Sequence, residues 1–362
     1  MFGPTIDDPA IAHNGTLVPA PSFTAPGRPD YRVSLGLSPK ARRRLVAFRP
    51  TLFHIATPDI LGFQALRLAR KWGTPIVASY HTHFSSYLKY YRLGALETSM
   101  WKYLRWFYSH CEQIYVPTLS MVSVLREHGI DSGLYLWPRG VDTKRFNPDM
   151  RSIEWRRKLG ISDHEVVVTF VSRLVWEKGL DVFATVIESL SRDGIPHRSV
   201  IVGDGPVRSV LEERLPGSIF IGFRTGDELA RAYASSDVFL FPSETETFGN
   251  VTLEAMASGL PTVCADATGS NALVVTGQTG YLAPPQDPAA FTRHVKELLL
   301  DDSLRNEMGR AAIARAREYS WHSILERIVH YYDEVFGHIP SLTPRPVVVD
   351  ERPEARQTQP SF

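Results

Sequence analysis

The stretch that decides the fold spans residues 166–206 and reads VVVTFVSRLVWEKGLDVFATVIESLSRDGIPHRSVIVGDGP. It opens with β-branched and aromatic residues at 166–171, which predict a buried strand. A polar loop leads to residues 180–192, whose apolar spacing predicts a helix, and residues 199–202 predict a second strand. A strand, a helix and a strand in this order predict a βαβ unit with parallel strands.

The same alternation repeats along most of the chain. Further strands are predicted at 52–56, 76–80, 113–116, 219–221, 238–241 and 262–264. Repeated βα units predict parallel sheets with helices on both faces, and 362 residues are enough for two such domains. We therefore predict an α/β protein with two Rossmann-like, parallel-sheet domains that face a cleft.

The pattern restarts after Pro148, and this sets the predicted domain boundaries. An N-terminal domain is predicted at 1–147 and a C-terminal domain at 148–320. Residues 321–338 predict a last amphipathic helix that returns to the N-terminal domain. Residues 339–362 have little apolar content and are predicted to be disordered.

Two local predictions concern the N-terminal domain. Residues 1–30 are rich in Pro, Gly and Thr and are predicted to be mostly irregular. Ser120 is predicted to cap the helix that ends at His128.

Composition predicts a cytoplasmic protein. Two cysteines, Cys111 and Cys264, lie far apart in sequence, which is typical of a reducing compartment. No apolar run approaches the roughly 20 residues of a membrane-spanning helix, and no signal-peptide pattern opens the chain. Residues 1–148 hold 18 Lys or Arg and 9 Asp or Glu, so they carry +9, and the net +1 leaves −8 for the remainder. The basic half is therefore the candidate for contact with an anionic partner.

A candidate site lies at residues 244–254, which read ETETFGNVTLE. This acidic stretch follows a predicted strand and opens a helix at Asn250, where free backbone N–H groups can bind a phosphate. Glu246 and Glu254 then stand at different depths of one pocket, and Gly249 permits close approach of the backbone. The alternative is that Glu246 only stabilises the helix electrostatically and that Glu254 is a solvated surface carboxylate.

Two cations lie beyond another strand end, in the segment SRLVWEKG at 172–179. Arg173 and Lys178 can reach the same crevice and neutralise a diphosphate without a metal ion. The alternative is a solvated loop in which Asp181 caps the following helix. The segment GDGP at 203–206 lacks the downstream glycine of the dinucleotide fingerprint, so no Rossmann cofactor is predicted.

In this order and spacing, the chain resembles the retaining glycosyltransferases of family 4, which have the GT-B architecture. The segments that carry the resemblance are SYHTHF (79–84), RGVD (139–142), SRLVWEKG (172–179), VGDGP (202–206), AYASSDVFLFPSETETFGNVTLEAMASGLP (232–261) and GQTGYL (277–282). The resemblance covers roughly residues 30–336 and is nearest to the sulfolipid-forming and mannosyl-transferring branches. It implies a nucleotide-diphosphate sugar as donor, GDP-mannose or a UDP-sugar, a lipid or glycan acceptor, no cofactor and no metal.

The resemblance also implies roles for individual residues. Glu246 would hold or orient the donor sugar, Glu254 would bind the ribose hydroxyls, and Arg173 with Lys178 would clamp the diphosphate. His81 is expected near the donor sugar and the acceptor, with His83 as a weaker match, although a lone histidine at a strand end is more often structural. Backbone groups around Gly222 and Phe223 would face the nucleotide base. The other donor-binding residues would be Gly205, in the segment VGDGP, and Phe248, Gly249, Asn250 and Val251 at the helix start.

The match is incomplete near the start of the chain. Family members open with a strand and a glycine-rich loop, and we expect that about 50 residues of such a strand–helix–strand unit are absent. The N-terminal sheet would then have an open edge, and acceptor binding would weaken. A catalytically impaired protein that binds nucleotide sugars is therefore the alternative function. A phosphorylase is less favoured, because no motif for a lysine-bound pyridoxal phosphate is visible.

An anionic membrane surface is a further predicted partner. Residues 80–108 contain ten aromatic residues interleaved with Lys89, Arg92, Lys102 and Arg105. Basic and aromatic residues together suit a membrane interface, although the same helix could pack its aromatic face into the core. Nucleic acid is not predicted, because the chain has no recognised nucleic-acid module and a pI of 7.9.

Overall fold

A computed structural model describes residues 1–5, 16–25, 28–81 and 97–337 of the protein. It contains two separate parallel sheets with helices between their strands, so the predicted α/β architecture is confirmed. The predictions for His83, Lys89, Arg92 and the tail at 339–362 lie outside the described residues.

Four strands, three of them with two to four residues, lie in the described part of the N-terminal segment. Strands β1 (Phe2–Gly3) and β2 (Val18–Pro19) form a parallel pair, and β3 (Ser22–Ala25) and β4 (Arg28–Ser34) form an antiparallel pair. The segment 1–30, predicted to be mostly irregular, therefore contains strands that were not predicted, and its residues 6–15 and 26–27 lie outside the described residues. Most of these strands have two to four residues, too few for an alternation of apolar and polar positions to be readable.

The N-terminal lobe is built on a four-stranded sheet. Its strands are β5 (Phe53–Ile55), β6 (Ile76–Ser79), β7 (Gln113–Val116) and β8 (Leu134–Leu136), adjacent in chain order and all parallel. Its helices are α1 (Pro39–Phe48), α2 (Ile60–Trp72), α3 (Glu97–Tyr108) and α4 (Leu119–Glu127). Among the described residues β5 pairs with β6 alone and β8 with β7 alone, so both are edge strands.

The cap of α4 differs from the prediction. Thr118 precedes the first helical residue, and its hydroxyl accepts a hydrogen bond from the Met121 amide at 3.2 Å. Ser120 lies inside the first turn, so its hydroxyl is free to donate elsewhere, to the carbonyl of Thr268 in the other lobe at 2.5 Å. The prediction of Ser120 as the cap was therefore wrong by two residues, and its hydroxyl instead joins the two lobes.

The C-terminal lobe is built on a six-stranded sheet in the order β11-β10-β9-β12-β13-β14, with all pairs parallel. The strands are β9 (Val167–Val171), β10 (Arg198–Val202), β11 (Ile219–Gly222), β12 (Val238–Phe241), β13 (Thr262–Ala265) and β14 (Gly280–Ala283). The helices are α5 (Ile153–Lys158), α6 (Leu180–Arg192), α7 (Arg208–Arg214), α8 (Gly226–Ala234), α9 (Asn250–Ala257), α10 (Pro288–Leu300) and α11 (Asp302–Arg317). Because β9 and β12 are neighbours, the loops that follow them meet at one edge of the sheet.

Two described segments of the chain, near Val141 and near Ser320, connect the lobes and lie next to each other. The amide of Val141 donates to the carbonyl of Tyr319 at 2.9 Å, where the two crossing segments run parallel. The last helix, α12 (Trp321–Val335), then lies against the N-terminal sheet, where the Tyr331 hydroxyl donates to the carbonyl of Leu136 at 3.1 Å. Within the described ranges, no helix combines the length and the apolar character needed to cross a bilayer.

Candidate active site

The acidic loop lies between β12 and α9, at the carboxyl end of the C-terminal sheet. Gly249 ends the loop with φ at 93°, a left-handed conformation that suits glycine, and it begins α9 without a capping side chain. The amides of Asn250 and Val251 in the first helical turn therefore have no side-chain cap. An uncapped helix start with its positive dipole end can bind a phosphate.

Lys178 and Glu246 meet in an ion pair. Lys178 ends a short 3-10 turn after β9, and Gly179 follows it with φ at 73°. A Cβ atom at Gly179 would lie 2.3 Å from the carbonyl oxygen of Pro242, so the two loops pack backbone to backbone. The Lys178 Nζ lies 2.5 Å from Glu246 Oε1, and the two side chains are 10% and 19% exposed. Lys178 is thus held beside Glu246.

Glu254 is mostly buried inside α9. Its Oε2 accepts a hydrogen bond from the hydroxyl of Tyr233 in α8 at 3.1 Å. Burial raises the pKa of Glu254 to about 7, and the hydrogen bond from Tyr233 offsets part of this effect. The alternative of a solvated surface carboxylate is therefore wrong. Tyr233 was missed from the sequence, because nothing in its spacing distinguishes it from a core tyrosine.

His81 of the N-terminal lobe contacts the acidic loop of the C-terminal lobe. Its carbonyl oxygen accepts a hydrogen bond from the Thr247 hydroxyl at 2.9 Å, and its Nδ1 lies 2.6 Å from Arg139 Nη2. Burial, followed by the positive charge of Arg139 and by the neighbouring His54, lowers the pKa of His81 to about 3. Neither Arg139 nor Thr247 was assigned a role from the sequence.

The other residues predicted to bind the donor lie in several separate parts of the C-terminal lobe. Arg173 is half-buried in the loop after β9 and makes contacts within the protein, and Asp181 pairs with Arg214 at 2.6 Å instead of capping α6. Gly205 lies against the backbone of Leu174, while Gly222 ends the edge strand β11. Phe223 is 59% exposed, whereas Phe248 is buried and faces the ring of Tyr319 at 5.8 Å.

The described residues contain no group of three or more His, Cys, Asp or Glu side chains placed to hold a metal ion. The groups at the acidic loop are the ammonium of Lys178, the carboxylate of Glu246 and the uncapped start of α9. Such a set can bind an anion and neighbouring hydroxyl groups.

Comparison with known proteins decides the family. Residues 2–145 match the family described as glycosyltransferase family 4, and residues 151–315 match that described as glycosyl transferases group 1. A GDP-mannose-dependent alpha-mannosyltransferase of Corynebacterium glutamicum is 35% identical over 303 residues, which cover 83% of this chain and 71% of that protein. The chain belongs to glycosyltransferase family 4.

Other relatives of this family 4 glycosyltransferase differ in the activity for which they are named. Sulfoquinovosyl transferase SQD2 of Arabidopsis thaliana is 35% identical over 88% of this chain, which spans 64% of the plant protein. A GDP-mannose-dependent alpha-mannosyltransferase of Mycobacterium tuberculosis is 35% identical over 82% of this chain and 76% of its own length. The family is thus shared, while the sugar differs among these relatives.

Solved structures show the fold of this family 4 glycosyltransferase. Sucrose-phosphate synthase from Thermosynechococcus elongatus aligns with a TM-score of 0.72 and 21% identity, over 83% of this chain and 77% of that one. Anabaena HepE in complex with UDP aligns with a TM-score of 0.71 and 19% identity, over 81% of each chain. The predicted GT-B fold is confirmed.

Proposed function

We propose that the protein transfers a hexosyl group from a nucleotide-diphosphate sugar, GDP-mannose or a UDP-sugar, to a lipid or glycan acceptor, with retention of anomeric configuration and without a metal ion. One observation carries this proposal. The acidic loop contacts Lys178 of its own lobe through Glu246 and the backbone of His81 of the other lobe through Thr247. A donor between the lobes would meet charged and polar groups from both.

The chemistry of the reaction matches these groups. Cleavage of the anomeric C–O bond builds negative charge on the leaving diphosphate and positive charge on the sugar ring. Lys178, Arg173 and the amide end of α9 would stabilise the first charge, and Glu246 would lie on the side of the second. Since an ammonium has three donors, Lys178 can bind a phosphate while keeping Glu246 in place.

Cations and helix amides that hold the diphosphate do the work that a divalent ion does in metal-dependent transferases, which supports the metal-independent form of the proposal. Retention is supported by the resemblance to retaining family members. The acceptor oxygen would then attack from the face on which the diphosphate departs. The nucleotide diphosphate would take the proton that the acceptor hydroxyl releases.

A nucleotide panel tests the function directly. We expect one of UDP, GDP or ADP, and the matching sugar nucleotide, to raise the melting temperature by several degrees, because a ligand at 100 times its Kd adds about 2.7 kcal/mol to the free energy of unfolding. The protecting donor is then assayed for transfer with and without EDTA, and the anomeric configuration of the product is read by NMR. Binding without transfer would support the impaired-binder alternative, and protection by none of the nucleotides would contradict both.

We propose that the protein is cytoplasmic and that its N-terminal lobe contacts an anionic membrane surface. The cations predicted for this contact fit less well than expected in α3, because Trp101 is buried and Arg105 donates to the carbonyl of His128 at 3.0 Å. Helix α1 fits better. Arg42, Arg43 and Arg44 are exposed without ion-pair partners in the described part of the chain, beside Phe48, which is 74% exposed.

Reversing the three arginines of α1 to glutamate should lower binding to vesicles rich in anionic lipid at least about a hundredfold, since each cation near such a surface contributes about 1 kcal/mol. Flotation with anionic and with neutral vesicles measures the effect. The matched control reverses three exposed arginines of the other lobe, Arg293, Arg310 and Arg317. Equal loss in both variants would mean that net charge alone sets the binding.

A further inference from the structure

Arg139 lies against the ring of His81, and its own position is fixed by neighbours. Its Nη2 is 2.6 Å from His81 Nδ1, and its guanidinium carbon is 5.3 Å from the centroid of the Trp137 ring. The indole N–H of Trp137 donates to the carbonyl of Ile324 in α12 at 3.1 Å. The guanidinium is therefore held between a histidine and an anchored aromatic ring.

The contact determines which nitrogen of His81 carries a proton. A guanidinium has donors and no acceptor, so His81 Nδ1 must accept and must itself be unprotonated. A neutral imidazole with Nδ1 unprotonated carries its hydrogen on Nε2. That nitrogen has no hydrogen-bond partner among residues 1–5, 16–25, 28–81 and 97–337, so it is available as a donor.

Electrostatics favours the same state. A second proton on His81 would place two cations in direct contact, and Arg139 has no ion-pair partner in the described ranges to relieve them. Burial is the largest cause of the low pKa of His81, followed by Arg139 and then by His54 of β5. His81 is therefore neutral throughout the physiological range.

The backbone of His81 is fixed as well. The Thr247 hydroxyl donates to its carbonyl at 2.9 Å, and Thr247 directly follows Glu246 in the acidic loop. The ring is thus held by the linker between the lobes and the main chain by the loop that contains Glu246. Two independent contacts define where His81 stands relative to the predicted sugar site.

We propose that Arg139 is a positioning residue that keeps His81 in its Nε2–H tautomer, so that the histidine donates a hydrogen bond to an oxygen of the bound sugar. This inference rests on the proposed function and adds a defined role for His81. With Nε2 already protonated, His81 does not remove the proton of the acceptor hydroxyl. That proton leaves instead on the nucleotide diphosphate, which the reaction itself makes available as a base.

Kinetics of four variants test the positioning role. Arg139→Met removes every donor at similar volume and should lower kcat/KM about 10- to 100-fold, the range for an oriented hydrogen bond to a charged group. Arg139→Lys keeps one charged donor and should recover part of that loss. In the background of His81→Ala, Arg139→Met should cause no further loss, because Arg139 acts through the histidine. Arg145→Met is the matched control, since Arg145 lies in the same linker and pairs with Asp227 at the surface.

A spectroscopic measurement reports the tautomer without turnover. Long-range 1H–15N correlation of the 15N-histidine-labelled full chain should show His81 with a protonated Nε2 and an unprotonated Nδ1. In Arg139→Met this pattern should change toward a mixture of tautomers, while Arg145→Met should leave it as in the wild type. Assignment is made by the loss of signals in His81→Ala.

The outcomes separate this inference from the proposed function. A wild-type protein that binds no nucleotide and transfers no sugar contradicts the function, while the NMR spectrum still tests the tautomer. An active wild type with unchanged kinetics and an unchanged His81 spectrum in Arg139→Met overturns the inference alone. A further loss on adding Arg139→Met to His81→Ala also overturns it, because Arg139 would then touch the substrate directly.

Discussion

Replacing Lys178 with alanine should lower the transfer rate about 100- to 1,000-fold, the cost of removing one preorganised group that stabilises transition-state charge. Lys178 is 8% exposed, and its ammonium lies 2.5 Å from Glu246 Oε1. Its loss would remove a cation from the diphosphate and leave Glu246 with the weaker hydrogen bond from Ser243, at 3.3 Å. Donor affinity should therefore fall together with kcat, which calorimetry and initial rates measure separately.

Two further variants show whether the loss of activity in Lys178→Ala comes from the missing diphosphate contact. Lys158→Ala removes a lysine from another ion pair, with Glu154 in α5, whose side chains are 73% and 79% exposed, so its effect should be negligible. Lys178→Ala combined with Glu246→Gln removes both partners of the buried pair. Stability should then recover, because no uncompensated carboxylate remains, but donor affinity should not. Unchanged nucleotide affinity in Lys178→Ala would contradict the proposed clamp.

The pairing of Lys178 with Glu246 shows where prediction from sequence ends. Both residues were predicted to follow strands, and the bounds predicted for the intervening helix, 180–192, match α6 (Leu180–Arg192). Strong apolar periodicity made that helix readable. That the two loops meet depends on β9 and β12 being neighbours, and on Gly179 packing against Pro242. Strand order and backbone approach leave no local pattern in the sequence.

Contacts between the lobes were also beyond prediction. The sequence places His81 at a strand end, but the hydrogen bonds from Thr247 and Arg139 depend on how the two lobes face each other. Single polar residues in loops usually bond to water or to their own backbone, so their partners cannot be inferred from position. The resemblance to a known family supplied the role of His81, and the structure supplied the groups that hold it.

We expect the charged carboxylate of Glu254 to lower the stability of the folded protein and to strengthen nucleotide binding. Its pKa in the folded protein is about 7, above the ordinary value of 4.5, because burial disfavours the carboxylate. A raised pKa means that its contribution to stability is present below pH 4.5 and is lost as the pH rises through about 7. At pH 8 the ligand-free protein therefore holds a charge that lowers its stability.

Glu254→Gln should consequently stabilise the ligand-free protein at pH 8 and weaken nucleotide binding. Since one pKa unit corresponds to about 1.4 kcal/mol, the free energy of unfolding should rise by at most about 3.5 kcal/mol. The glutamine oxygen can still accept from Tyr233, so packing is preserved. Nucleotide affinity should fall about 10- to 100-fold, because a neutral amide replaces a carboxylate that would accept both ribose hydroxyls.

The pH dependence of binding separates this role from a structural one. Ribose hydroxyls would favour the charged carboxylate, so nucleotide binding near pH 6.5 should release a proton, detected as a dependence of the calorimetric heat on the ionisation enthalpy of the buffer. Affinity of the wild type should weaken from pH 8 to pH 6, whereas that of Glu254→Gln should stay level. Glu154→Gln, at a fully exposed carboxylate, serves as the control and should change neither property. A wild-type affinity that does not change between pH 8 and pH 6 would show that Glu254 does not contact the ribose. A different ligand would then have to explain why this carboxylate is buried.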